Sequence, residues 1–351
     1  MTAAKKNNSR RKSAKFRRSR KKRIQKTILL VLLLIFLGGA GIGSIYLLRN
    51  GTLFGKLDEP YMASREFSGG ITGTDSLRAD GFAKKLCVVV SDVPMDGVSL
   101  GENQKGLLLD LDDRQVLYSK QALEKLYPAS ITKIMTAMLA LKYGNMDDVV
   151  TITQENLDLE SGSQVCGFWA GDQVTMDQLL HCLLVYSGND AASAIATHVG
   201  GSTEGFVEMM NSFAKELGCT GTHFTNPHGL QDENHYTTPY DIYLMLKEAL
   251  NYPEFTQITQ MGSYTVEYTH ADGSSASTTL TATDHYLTGE ATPPKNVTIL
   301  GGKTGTTDNA GNCLALLSQN AYGKPYISIV MGASTKDELY QQMSSLLQNI
   351  N

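Results

Sequence analysis

The spacing of apolar positions changes several times along this chain, and each change marks a different kind of element. Residues 27–48 carry no charge and centre on an aliphatic run from Ile28 to Phe36, long enough to cross a bilayer as a helix. Further on, 106–112 and 114–119 have the short, dense apolar pattern of a hairpin. Ile131, Ile134, Met135 and Met138 then fall at helical spacing, with Gly144 placed to end the run. The pattern predicts further helices over 176–185, 205–217 and 241–250. It returns to strands at 297–300, 313–318 and 326–331, with Tyr322-Gly323 in a turn, and closes with a helix over 336–350. The Ser- and Thr-rich stretch 263–280 reads as a hairpin excursion. No internal repeat is present. The predicted architecture is α/β of the α+β kind: an antiparallel sheet flanked by helices, with an inserted helical subdomain and a cleft between them.

Charge divides the chain sharply. The overall formal charge is −4. Residues 1–26 hold 13 lysines and arginines and no acid, Arg49 is a fourteenth, and the 17 that remain face all 35 acidic residues, a body of net −18. A body so acidic is a poor partner for nucleic acid. The basic tail is better explained by membrane topology and attraction to anionic lipid, with the tail cytoplasmic and residues 49 onward outside. A cleaved signal peptide ending near 41–44 is the alternative, although its apolar region is usually shorter. The expected organisation is a cytoplasmic tail (1–26), a transmembrane helix (27–48), a juxtamembrane linker (49–84) and a catalytic domain (85–351).

Three short motifs occur in order: Ser130-Ile131-Thr132-Lys133, Ser187-Gly188-Asn189 and Lys303-Thr304-Gly305. A serine hydroxyl is a poor nucleophile until a base takes its proton. Residues three apart on a helix share a face, so Lys133 can be that base for Ser130. To accept a proton near neutrality the amine must be depressed by burial and by a neighbouring cation, and Lys303 is placed to supply the latter. Ser130 follows Pro128 at a predicted helix start, where backbone N–H groups favour developing negative charge. Gly305, on a predicted strand, would let a backbone approach closely. Ser9-Arg10-Arg11-Lys12 and Ser318-Gln319-Asn320 repeat two of the patterns without this context and are accidental.

The ordered set, together with 187–192 (Ser-Gly-Asn-Asp-Ala-Ala), 225–230 (Thr-Asn-Pro-His-Gly-Leu), 302–307 (Gly-Lys-Thr-Gly-Thr-Thr) and Ala310-Gly311, resembles the serine-type D-alanyl-D-alanine carboxypeptidases, low-molecular-mass penicillin-binding proteins. The resemblance covers about residues 104–350. It implies the penicillin-binding/β-lactamase-like fold and an acyl-enzyme on Ser130, formed from a peptidoglycan stem peptide or, as inhibitor, from a β-lactam. It further implies an oxyanion site from the backbone N–H groups of Ser130 and Thr306, and proton relay through Ser187. Asn189 would hold the Lys133 amine and the substrate, with Lys303, Thr304, Gly305 and Thr306 on the binding strand. His228 is an accessory candidate that either positions a deacylating water or, the preferred reading, braces its loop.

Two departures from the family stand out. The Asn-containing turn expected ahead of the third motif reads Thr283-Asp284-His285. No arginine follows Arg114, so a substrate carboxylate must meet other groups, for which Thr304, Thr306 and Lys303 are the best placed. A D,D-endopeptidase would use the same residues. A serine β-lactamase would need a carboxylate over the ester, with Glu233 the nearest candidate. A non-catalytic wall-binding module would be expected to have lost one of Ser130, Lys133 or Lys303. The five cysteines show no CxxC spacing and the seven histidines no HExxH, so neither metal nor cofactor is expected. An odd cysteine count leaves at least one thiol unpaired within the chain. Cys182 and Cys313, in apolar runs, read as core, as does His181.

Overall fold

The computed structural model describes residues 85–350. The tail, apolar segment and linker expected over 1–84 lie outside the described residues; among those described, no helix is long and apolar enough to cross a membrane. The chain opens with the hairpin β1 (Lys105–Asp110) and β2 (Gln115–Lys120), then turns through Ala129–Thr132 into α1 (Lys133–Tyr143). It continues through β3 (Val149–Thr151), β4 (Gln173–Thr175), α2 (Met176–His181), α3 (Asn189–Gly200), α4 (Thr203–Glu216), α5 (Pro239–Ala249) and α6 (Pro253–Thr259). A second hairpin, β5 (Ser263–Thr269) and β6 (Ser275–Thr281), leads to β7 (Thr298–Thr307), β8 (Gly311–Gln319), β9 (Pro325–Ala333) and α7 (Lys336–Leu347).

The main sheet is antiparallel, in the order β2-β1-β9-β8-β7. Its central strands β1, β9 and β8 are buried on both faces because helices cover both. Successive side chains alternate: Leu107, Leu109, Cys313, Ala315, Ile327 and Ile329 pack with the helical body, whereas Leu108, Leu314, Leu316 and Val330 meet α7 through Leu339, Met343 and Leu346. Helix starts are written locally. Ser202, Thr238 and Thr335 each accept from the backbone N–H three residues on, at 3.0, 3.0 and 3.1 Å.

Two features differ from the sequence pattern. The hairpin at 263–280 is no isolated excursion, since it joins a second antiparallel sheet in the order β3-β4-β5-β6. β3 and β4 are three residues each, too short to show an alternation. The helix predicted over 176–185 holds α-geometry only to His181, after which Cys182–Tyr186 widens into a π-turn. The wider turn lets the chain leave the helix at Ser187 in a left-handed conformation, with φ 70°.

Candidate active site

Ser130 sits in the 3-10 turn Ala129–Thr132 that feeds α1. Ala129 takes φ +47°, a left-handed conformation that costs a non-glycine residue about 1–2 kcal/mol. Packing holds it there: Gly229 lies so close that a Cβ on it would stand 1.9 Å from the Ala129 carbonyl oxygen. Lys133, one turn on, is completely buried. Its Nζ lies 2.9 Å from Ser130 Oγ, 2.6 Å from Asn189 Oδ1 and 2.9 Å from the His228 carbonyl oxygen. Burial, and after it the charge of Lys303, holds the amine well below the ordinary lysine range.

Those three partners define the proton's path. A neutral amine has two N–H bonds and one lone pair. Two of the neighbours are carbonyl oxygens, which only accept. They take both N–H bonds, and the lone pair is left for the one neighbour with a proton to give, the Ser130 hydroxyl.

The second motif reaches the same point from the start of α3. Ser187, left-handed, directs its Oγ to Lys303, whose ammonium donates to it at 3.0 Å and to the Thr304 carbonyl at 2.9 Å. Behind the motif, the fully buried Asp190 carboxylate accepts from the backbone N–H groups of Cys166, at 2.8 Å, Gly167, at 3.2 Å, and Ala191, at 2.9 Å. Asn189 N–H donates to the Gln164 carbonyl at 2.8 Å. The loop through Ser163 and Gln164 is thereby fixed as one wall of the cleft.

The third motif lies on β7, the sheet edge facing the nucleophile. A Cβ on Gly305 would meet the Pro128 carbonyl oxygen at 2.9 Å and Ser130 N at 2.9 Å. Only glycine lets the strand run this close. Lys303 is buried, and desolvation holds it down to about 7, opposed by the carboxylate of Asp284. Its ammonium faces Ser187, and the residues lining the cleft include Thr304, Gly305 and Thr306 from the same strand. Thr304 and Thr306 do line the cleft; Thr304 Oγ1 pairs with Thr283 Oγ1 at 2.5 Å and Thr306 donates to Asn312 Oδ1 at 3.1 Å.

Asp284 accepts from Tyr286 N–H at 3.0 Å and from the Tyr340 hydroxyl at 3.3 Å, while its other oxygen is buried without a hydrogen-bond partner. Burial pushes this carboxyl above the usual range, and its negative charge opposes the depression of Lys303. Thr283 presents its hydroxyl to Thr304.

His228 contributes chiefly through its carbonyl. Its ring Nδ1 accepts from Leu230 N–H at 3.2 Å, the bracing arrangement, and burial, with help from Lys133, pushes the ring down to about 3. His181 stacks on Tyr264 at 4.3 Å and bonds within its own helix, away from the cleft. All five cysteines are buried and unpaired, and Cys313 contributes to the cleft floor. Glu233 is exposed, and no carboxylate lines the cleft among the described residues. Among those residues no cluster of His, Cys, Asp and Glu could hold a metal ion. Sequence reasoning missed Asp190, quoted only as part of a motif, and Lys336, an exposed lysine at the start of α7 whose position brings a cation to the cleft rim.

Comparison with known proteins agrees with this geometry. D-alanyl-D-alanine carboxypeptidase DacF of Bacillus subtilis is 37% identical over 70% of this chain and 61% of its own. DacC of Escherichia coli is 34% identical over 69% of this chain and 59% of its own. The match thus spans about three fifths of these relatives. Among solved structures, the Streptomyces K15 DD-transpeptidase superposes with TM-score 0.65 at 27% identity, covering 74% of this chain and 98% of that one. A D-alanyl-D-alanine carboxypeptidase of Mycobacterium tuberculosis gives 0.63 at 28%, covering 73% and 92%. The family model described as peptidase S11, D-alanyl-D-alanine carboxypeptidase, matches residues 101–335. That span takes in all three motifs and the carbonyl that holds the lysine between them, and the chain belongs to the peptidase S11 family of D-alanyl-D-alanine carboxypeptidases.

Proposed function

We propose that this protein is a membrane-anchored serine D-alanyl-D-alanine carboxypeptidase that trims the terminal D-alanine from peptidoglycan stem peptides. The observation that carries the reading is the set of partners around Lys133 Nζ, which leaves the lone pair of the neutral amine to the Ser130 hydroxyl. Lys133 removes that proton as Ser130 Oγ attacks the carbonyl between the two D-alanines. Backbone N–H groups of Ser130 and Thr306 hold the oxyanion. Collapse expels D-alanine, whose nitrogen receives a proton through Ser187, and water then cleaves the ester. A β-lactam follows the first step and stalls, because its leaving group stays tethered.

Lys336, Thr304 and Thr306 all line the cleft, and an ammonium with two hydroxyls supports recognition of a free terminal carboxylate and so favours carboxypeptidase over endopeptidase action. Among the described residues no carboxylate lines the cleft, which weighs against the β-lactamase reading. A second reading, transfer of the acyl group to an amine, is prompted by the DD-transpeptidase neighbour. Anchoring rests on the uncharged segment 27–48 behind a basic tail. The test is mass spectrometry of the purified full-length chain after separate incubation with a fluorescent penicillin and with diacyl-Lys-D-Ala-D-Ala, with and without an amine acceptor. One adduct on Ser130, lost with D-alanine release in Ser130→Ala, is expected. An adduct on another serine would refute the site, and an amide product would favour transfer.

A further inference from the structure

The chain has a single tryptophan, and it is not in the core. Trp169 is 67% exposed, yet its position is over-determined. Its indole stacks on the His270 imidazole at 4.9 Å, with the planes 20° apart. A buried carboxylate, Asp172, ties the two segments together: one oxygen accepts from the main-chain N–H of Trp169 at 2.8 Å, and the other lies 2.8 Å from His270 Nδ1, so the ring beneath the indole is held directly and the indole through its backbone. Tyr268 meets the same imidazole edge-on at 5.4 Å and Phe168 at 5.2 Å. An exposed side chain that served only to cover surface would need no such support.

The platform shares a loop with the catalytic cleft. Ser163 and Gln164 line the cleft, Asp190 clamps Cys166 and Gly167, and Asp172 clamps Trp169. Trp169 is five positions beyond Gln164 on this loop, so it stands within about 17 Å of the cleft wall.

We infer that Trp169, stacked on His270, is a saccharide platform that takes a sugar ring of the glycan strand to which the substrate peptide is attached. An indole face offers the C–H side of a sugar ring apolar area and a π-surface, while the hydroxyls at the ring edge need polar neighbours. The hairpin tip beside it, 270–275, supplies them: His, Ala, Asp, Gly, Ser and Ser. A bilayer is the poorer partner. The net −18 body is repelled by an anionic leaflet, to which a neutral sugar is indifferent. The inference rests on the peptidoglycan reading for its substrate but not for its test.

Because the protein has one tryptophan, its emission reads this site alone. The full-length chain, reconstituted in nanodiscs of phosphatidylcholine and phosphatidylglycerol, should show a saturable shift in emission with millimolar N-acetylglucosamine tetramer. Unchanged emission, or quenching by brominated lipid in place of it, would overturn the platform. In kinetics, the ratio of kcat/KM for a disaccharide-pentapeptide to that for the free pentapeptide should fall about five- to tenfold in Trp169→Ala and recover largely in Trp169→Phe. An equal ratio in wild type and Trp169→Ala would also overturn it. Should neither peptide be cut, the carboxypeptidase reading falls, and the emission titration still decides the platform.

Discussion

Replacing Gly305 with alanine would place a methyl carbon 2.9 Å from the Pro128 carbonyl oxygen, 2.9 Å from Ser130 N and 3.0 Å from Ile131 N. Comfortable contacts lie at about 3.5–4.0 Å, so β7 and the nucleophile turn must part by roughly half an ångström to one ångström. All three atoms belong to backbone, and no rotamer change can absorb the overlap. The turn has little slack either, since Ala129 is already left-handed and Gly229 is pressed against its carbonyl. On its far side β7 is tied to β8 through a ladder from Thr298 to Thr307. A misplacement of this size costs between about 10- and 100-fold in rate, and overpacking costs about 1–3 kcal/mol of stability. The second-order rate constant for acylation by a fluorescent penicillin reads the first, and thermal unfolding followed by circular dichroism reads the second. Acylation within about threefold of wild type, at an unchanged melting temperature, would show that the strand does not set the position of Ser130.

The remaining expectations concern the two lysines and the cleft rim. Lys133→Arg keeps the charge but removes the base, because guanidinium does not give up its proton; acylation should fall by about 10² to 10⁴, and a loss under tenfold would place proton abstraction elsewhere. Lys303 is held at about 7 with Asp284 opposing its depression, so Asp284→Asn should lower it further. If the cationic form is needed, the alkaline limb of the acylation profile then moves to lower pH, whereas a limb that stays or rises would disconnect the two groups. Thr306→Val should reduce kcat/KM for D-Ala-D-Ala peptides by about 1–3 kcal/mol. Lys336→Met should reduce it less, because an exposed charge is screened, with the deficit growing at low salt. If both variants keep full preference for a free carboxylate over an amide, carboxylate recognition lies on other residues.

Much of the site is legible in the sequence because it is local. Ser130 and Lys133 are three residues apart on one helical face. The strand carrying Lys303 follows a β-branched run, and Ser187 to Asn189 falls where two apolar helical patterns meet. In the main sheet, alternating burial follows directly from apolar strands covered on both faces. What the tertiary structure decided is whatever depends on contacts across long separations. The third partner of Lys133 is a carbonyl 95 positions away, and a backbone atom leaves no signature in residue type. Asp284 opposes the depression of Lys303 only because the fold brings the two together, and Lys336 reaches the cleft only because α7 starts beside it. The second sheet hid in strands of three residues, shorter than two periods of the pattern that would betray them. The depressed lysines make the same point chemically. The sequence supplies two amines and their order, but desolvation is a property of everything packed around them, and no local pattern carries it.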